Sequence, residues 1–173
     1  MTKKNEGTII LGIDPGYGTV GYGLIAICGN RFVHVAHGAI RTTSNQPLPL
    51  RLSEIYDAIT RILDEYRPTE AAVESLFFFR NVTTALAVSE ARGVIQLNLY
   101  QHSVLSHEYT PFQVKQAVSG NGRAEKGQVQ RIVKTLLHMD KNPTPDDAAD
   151  ALAIAICHAN SRDSLNHIQG RVQ

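Results

Sequence analysis

Cysteine is scarce in this chain of 173 residues: Cys28 and Cys157 are the only two, and neither sits in a CxxC or Cys/His cluster. That spacing excludes a disulfide-stapled scaffold and a structural zinc site, and both thiols read as reduced, core-filling groups of a cytoplasmic protein. No apolar run approaches the roughly 20 residues of a membrane span. The short apolar stretch near the start is interrupted by Asp14, which reads against a secretory leader. Excess charge is missing too. The net charge is +1, with 43% hydrophobic and 19% charged residues, a balance that excludes a disordered or fibrous chain. Acid is absent locally: residues 15–53 contain no Asp or Glu but do contain Arg31, Arg41 and Arg51. Within residues 112–135, Lys115, Arg123, Lys126, Arg131 and Lys134 stand against Glu125 alone, whereas Asp146, Asp147 and Asp150 cluster further on. Basic surface beside an acidic cluster suits a protein that holds a polyanion and delivers metal to it.

The hydrophobic pattern predicts one α/β domain over 1–173, structured over about 8–160, with a polar, flexible tail over 161–173. Residues 8–13 form an apolar run ending at the turn Asp14-Pro15-Gly16. Two strands follow, over 20–28 and 31–40, joined at Gly29-Asn30. Leu52, Ile55, Ile59, Ile62, Leu63 and Tyr66 fall at helical spacing, and Pro68 stops that helix. Short strands are expected over 70–74 and 104–109 with a helix over 83–100 between them. Helices are expected over 111–118, 123–139 and 146–160.

Gly16, Gly18 and Gly21 spell GxGxxG after a strand. A dinucleotide loop must open a helix, but the residues that follow are strand-like, so the glycines read as a tight turn and hairpin. Asp14 and Glu74 end apolar strands. Asp147 and Asp150 lie three apart near a helix start and share one face. Singly, these acids read as a turn former, a solvated strand end and helix-capping residues. Asp150 fits that description least, because it opens the apolar run Ala151-Leu-Ala-Ile-Ala-Ile156, where a carboxylate is costly without a cation. Together the four are an oxygen-rich set of the kind that holds Mg²⁺. The seven histidines form no ligand pattern, and His158 reads as capping or lining the last helix.

Five separated motifs then occur in order: Ile13-Asp-Pro-Gly16, Val73-Glu74 with Leu76-Phe77, Gln113-Val-Lys-Gln116, Ala124-Glu-Lys126, and Asp147-Ala-Ala-Asp-Ala-Leu-Ala-Ile-Ala155. In these the chain resembles the RuvC family of bacterial Holliday-junction resolvases, over about residues 8–160. The resemblance implies an RNase H-like fold, a mixed five-stranded sheet flanked by helices on both faces, acting as a homodimer. It implies metal ligation and catalysis by Asp14, Glu74, Asp147 and Asp150, although some members carry His at the position of Asp147. It implies that Phe77 stacks on an unpaired base, with Arg80 and Asn81 as backbone contacts. Lys115 and Lys126 match lysines near the scissile phosphate, and Arg123 is a DNA-contact candidate by its neighbourhood.

The implied activity is a Mg²⁺-dependent endodeoxyribonuclease, with Mn²⁺ as substitute, that makes paired nicks in strands of like polarity at a four-way junction. Its products would be 5′-phosphate and 3′-hydroxyl ends that a ligase can seal, and its further partner a branch-migration motor. Hydrolysis needs a water nucleophile and neutralisation of charge on attacking and leaving oxygens, which two divalent ions about 4 Å apart supply. A non-catalytic junction-binding module of the same fold is the alternative, and the intact acid set argues against it. An ATPase of the actin and sugar-kinase type would need two such domains, for which the chain is too short.

Overall fold

Strand β1 (Ile9–Asp14) sends its side chains alternately into two cores. Ile10 joins one, and Leu11 and Ile13 join the other, as a period of two requires. The structure is a computed structural model and describes residues 7–75 and 82–169. Strands β2 (Thr19–Cys28) and β3 (Arg31–Arg41) extend β1 as an antiparallel meander. The turn between them places Gly29 at φ 61°, where a side chain would be strained. Helix α1 (Leu48–Tyr66) buries Ile55, Ile59, Ile62 and Leu63, and it ends at Arg67 in a left-handed cap just before Pro68. Strand β4 (Glu70–Glu74) runs parallel to β1, helix α2 (Val82–Gln101) crosses over, and strand β5 (Leu105–Tyr109) runs parallel to β4. Helices α3 (Pro111–Ser119), α4 (Lys126–Leu136) and α5 (Asp146–Gln169) complete the order.

The sheet order is β3-β2-β1-β4-β5, a mixed five-stranded sheet. One core packs α1 and α2 against Leu11, Ile13, Ala71 and Val73, and the other packs α3, α4 and α5 against Ile10, Ile25 and Ala72. Helices therefore cover both faces, as an RNase H-like fold requires. Among the described residues no helix is long and apolar enough to cross a membrane.

Helix α5 lies unusually close to the sheet. A Cβ on Gly21 would stand 2.0 Å from the carbonyl oxygen of Asp147, and one on Gly12 would stand 2.0 Å from that of Ala151. Only glycine permits that approach. The third glycine of the GxGxxG pattern is thus there for the helix packed against it, and the hairpin alone does not account for it.

Three expectations need correction. Helix α4 starts at Lys126 rather than near Arg123, because Ala124 closes a turn onto the Asn121 carbonyl and Glu125 is extended as its N-cap. Helix α5 runs to Gln169, past the expected end near Asn160, and Arg162 in that added length donates to Glu70 at 2.7 Å. Cys28 is exposed at the end of β2, and only Cys157 fills the core.

Candidate active site

Parallel register brings the first two acids together. Ile13 of β1 pairs with Val73 of β4, so Asp14 and Glu74 are the next residues on neighbouring strands. By alternation they share the face of Gly12 and Ala72, which is the face that α5 covers. The first turns of α5 cross this corner, with Asp147 seated over Gly21 and Asp150 one helical turn on. Two strand ends and one helix start thus converge four carboxyl groups.

Their charges interact. Burial first, and then the charges of Glu74, Asp150 and Asp147, push the Asp14 carboxyl up to about 8. Burial and the Asp150 charge push Glu74 up to about 7. Asp150 is also raised by burial, although Lys126 bonds to it. Among the described residues no three His, Cys, Asp or Glu side chains already form a metal-sized cluster. The carboxylates are near enough to repel one another without closing into a cage.

Both lysines stand beside the acids. Lys126, the first residue of α4, donates to Asp150 Oδ2 at 2.8 Å and lies 3.5 Å from Asp146. Burial pulls its ammonium down, but the bond to Asp150 together with the charges of Asp150 and Asp146 raises it overall. Lys115 is carried by α3, whose N-terminus is fixed by a capping box between Thr110 and Gln113. Tyr109, just before that cap, pairs in register with Glu74. Glu74, Lys115, Lys126 and Asp150 therefore line one cavity. Arg123 is exposed in the turn before α4, where its backbone N–H donates to Asn121 Oδ1. Phe77, Arg80 and Asn81 lie outside the described residues.

A buried polar network is the feature that sequence reasoning missed. The Tyr109 hydroxyl bonds to His158 Nδ1 at 2.8 Å, and His158 Nε2 bonds to Glu70 Oε2 at 2.7 Å. Arg162 completes the set on Glu70, and His107 stacks on the His158 ring. His158 does line the last helix, but it is buried and paired with a strand residue 88 positions away. No local pattern carries that signal.

A mixed sheet of this order, with carboxylates at two strand ends and on the crossing helix, defines the chain as an RNase H-like protein with a nuclease-type acidic corner. The family model described as crossover junction endodeoxyribonuclease RuvC matches residues 10–158. The chain is 54% identical over 159 residues to the protein of that name from Petrotoga mobilis, which covers 92% of this chain and 98% of that protein. It is 53% identical over 150 residues to the one from Thermotoga maritima, covering 87% and 89%. The solved structure of Thermus thermophilus RuvC in complex with a Holliday junction substrate superposes with a TM-score of 0.83 at 30% identity, over 91% of this chain and 96% of that one. The yeast mitochondrial resolvase Ydc2, at 12% identity and a TM-score of 0.70 over 94% and 82%, shares the fold. This chain belongs to the RuvC family.

Proposed function

We propose that this chain is a divalent-metal-dependent endodeoxyribonuclease that resolves four-way DNA junctions by symmetric nicks in two strands of like polarity. The product ends are a 5′-phosphate and a 3′-hydroxyl. The observation that carries this reading is the convergence of Asp14, Glu74, Asp147 and Asp150 at one corner, where burial first and then the neighbouring carboxylates push the Asp14 carboxyl up to about 8. Such crowding is relieved by cations. The donors are all carboxylate oxygens, which suit Mg²⁺, with Mn²⁺ as substitute, better than a soft or imidazole-bound metal.

Asp14 and Glu74 would hold the ions from the sheet, and Asp147 and Asp150 from the helix. When bound, divalent ions supply Lewis acidity at the phosphate and a more acidic water. The chain's own cations act alongside. Lys126, bonded to Asp150, has a second acceptor once a phosphate oxygen enters the cavity. Lys115, whose charge already favours ionised Glu74, offsets charge building on the phosphate. Arg123 contacts the strand backbone from its exposed turn. Phe77 as the ring that stacks on an unpaired base, with Arg80 and Asn81 as backbone contacts, rests on the family resemblance.

Two symmetric nicks need two sites related by a two-fold axis, hence a homodimer. The exposed Val82, Leu86, Leu97 and Tyr100 support α2 as the contact surface. A branch-migration motor as partner and the bacterial cytoplasm as location follow from the same family reading. The test is incubation with a labelled four-way junction and with linear duplex, in Mg²⁺, in Mn²⁺ and in chelator. Paired cuts in the junction that need the metal are expected. Equal cutting of both substrates, or cutting in chelator, would overturn the reading.

A further inference from the structure

Phe112 is a large apolar side chain that the fold leaves 58% exposed, on the first turn of α3. Its ring is not adrift. A Cβ built on Gly122 would lie 2.3–2.5 Å from three ring atoms, so the ring rests directly on that glycine and no larger residue fits beneath it. The loop that presents Gly122 is itself held. The Gly122 N–H donates to Gln116 Oε1 at 2.9 Å, Ser119 Oγ donates to the Lys115 carbonyl at 2.8 Å, and Asn121 accepts from Arg123. Helix α3 and the turn before α4 thus form a braced platform with an aromatic ring on it.

Thr110, Pro111, Phe112, Lys115 and Gly122 line a cleft of about 300 Å³ at this ring. The cleft adjoins the acidic cavity, and Pro111 and Lys115 belong to both. Lys115 stands three residues after Phe112, on the same side of the helix. A phosphate drawn to Lys115 beside Glu74 would therefore continue, one nucleotide along the strand, into the space at Phe112. A flat apolar surface next to an ammonium matches a nucleotide, whose base stacks and whose phosphate pairs with the cation. An aliphatic partner would leave Lys115 unanswered, and a free anion would leave the ring unused.

We propose that the Phe112–Gly122 cleft is a nucleotide subsite, taking the nucleotide next to the cleaved phosphate with its base stacked on Phe112. The inference rests on the nuclease reading above and adds a contact that the four acids do not provide. The ring tolerates any base, so the subsite contributes grip and strand path.

The sequence contains no tryptophan, so Phe112→Trp creates a single fluorescent reporter at the cleft in the full-length protein. Wild-type protein and Mg²⁺ first map the cut sites on a four-way junction. In chelator, the same junction should then quench the Phe112→Trp emission and shield it from acrylamide. An abasic position next to the mapped cut should restore the emission. Phe112→Ala and Phe112→Leu should both slow single-turnover cleavage roughly 5- to 150-fold while melting close to wild type. Gly122→Ala, which displaces the ring from its seat, should act in the same direction. If wild type cuts the junction but the emission is unchanged at saturation, or Phe112→Leu cuts at the wild-type rate, the ring merely pins the loop and the subsite is wrong. If wild type neither cuts nor binds the junction, the nuclease reading fails and takes the subsite with it.

Discussion

Asp14→Asn should make the metal-free protein more stable, although it removes a central acid of the site. Asp14 ionises near 3.8 in a solvated chain and at about 8 in the fold. Between those values the unfolded chain has released a proton that the folded chain still holds, so stability falls as pH rises through the window. About three of the intervening pH units lie below pH 7, each worth about 1.4 kcal/mol, so the penalty at pH 7 approaches about 4 kcal/mol. Asparagine has nearly the same shape and does not titrate. For a chain of this length ~1 kcal/mol corresponds to about 2–4 °C, so the variant should melt up to roughly 8–16 °C higher in chelator at pH 7. Water entering the corner would reduce that ceiling without changing its sign. Calorimetry from pH 5 to 8 in chelator checks the slope, and repetition with Mg²⁺ checks the cause. Wild type should gain stability from the ion and the variant should gain less. A difference in melting temperature between variant and wild type that stays flat from pH 5 to 8, or a variant that melts no higher, would refute the argument from burial and neighbouring charge.

Lys126→Ala should slow single-turnover junction cleavage while costing no more than about 1 kcal/mol of stability, because its pair with Asp150 is half-exposed. Lys115→Ala should do the same. A change confined to the salt dependence of binding would reassign either lysine to backbone tracking. Glu70→Gln should lower stability at pH 7 by about 1–3 kcal/mol, since it removes the charge and one of the two acceptor oxygens that the partly buried Glu70 offers His158 and Arg162. In wild type, burial keeps His158 below its ordinary 6.5, and Arg162 and His158 hold Glu70 below 4.5 against the pull of burial. Both groups therefore withdraw stability as pH falls, His158 from 6.5 downward and Glu70 from 4.5 downward. Melting curves should show that the variant lacks the lower step. Gly21→Ala should cost about 1–3 kcal/mol and reduce cleavage, because its methyl meets the Asp147 carbonyl. Gly18→Ala, whose methyl would face only the Arg51 guanidinium at 3.3 Å, is the control expected to melt and cut normally.

The acids were legible in sequence because each sits at a boundary that composition marks. Asp14 and Glu74 end apolar strands, and Asp147 and Asp150 open an apolar helix. What brings them together was legible only through the family motifs, since the β1–β4 pairing is a long-range choice that no local pattern encodes. The glycines illustrate the same boundary. Gly12 and Gly21 read locally as strand and turn residues, but their reason is a helix more than 120 positions later. The start of α4 lies later than the sequence suggests because the turn of Ala124 onto the Asn121 carbonyl is a backbone event that no side-chain pattern marks. The length of α5 depended on Glu70, a partner that the polar composition after Ser161 does not announce.

The network around His158 gives that length a purpose. His158 lies eight residues beyond Asp150 on α5, about 12 Å along the helix. Glu70 lies four residues before Glu74 on β4, about 13 Å along the strand. The two rails are therefore tied together at nearly equal distances from the acidic corner, by a bond of 2.7 Å between His158 and Glu70. Tyr109 adds the third rail, because it bonds to His158 and leads through Thr110 into the helix that carries Lys115. One buried junction thus sets the registers of the three elements that supply Glu74, Asp150 and Lys115. The repelling carboxylates cannot hold themselves in place, since their charges favour separation. The brace that holds them must lie outside their field, and this network occupies that position.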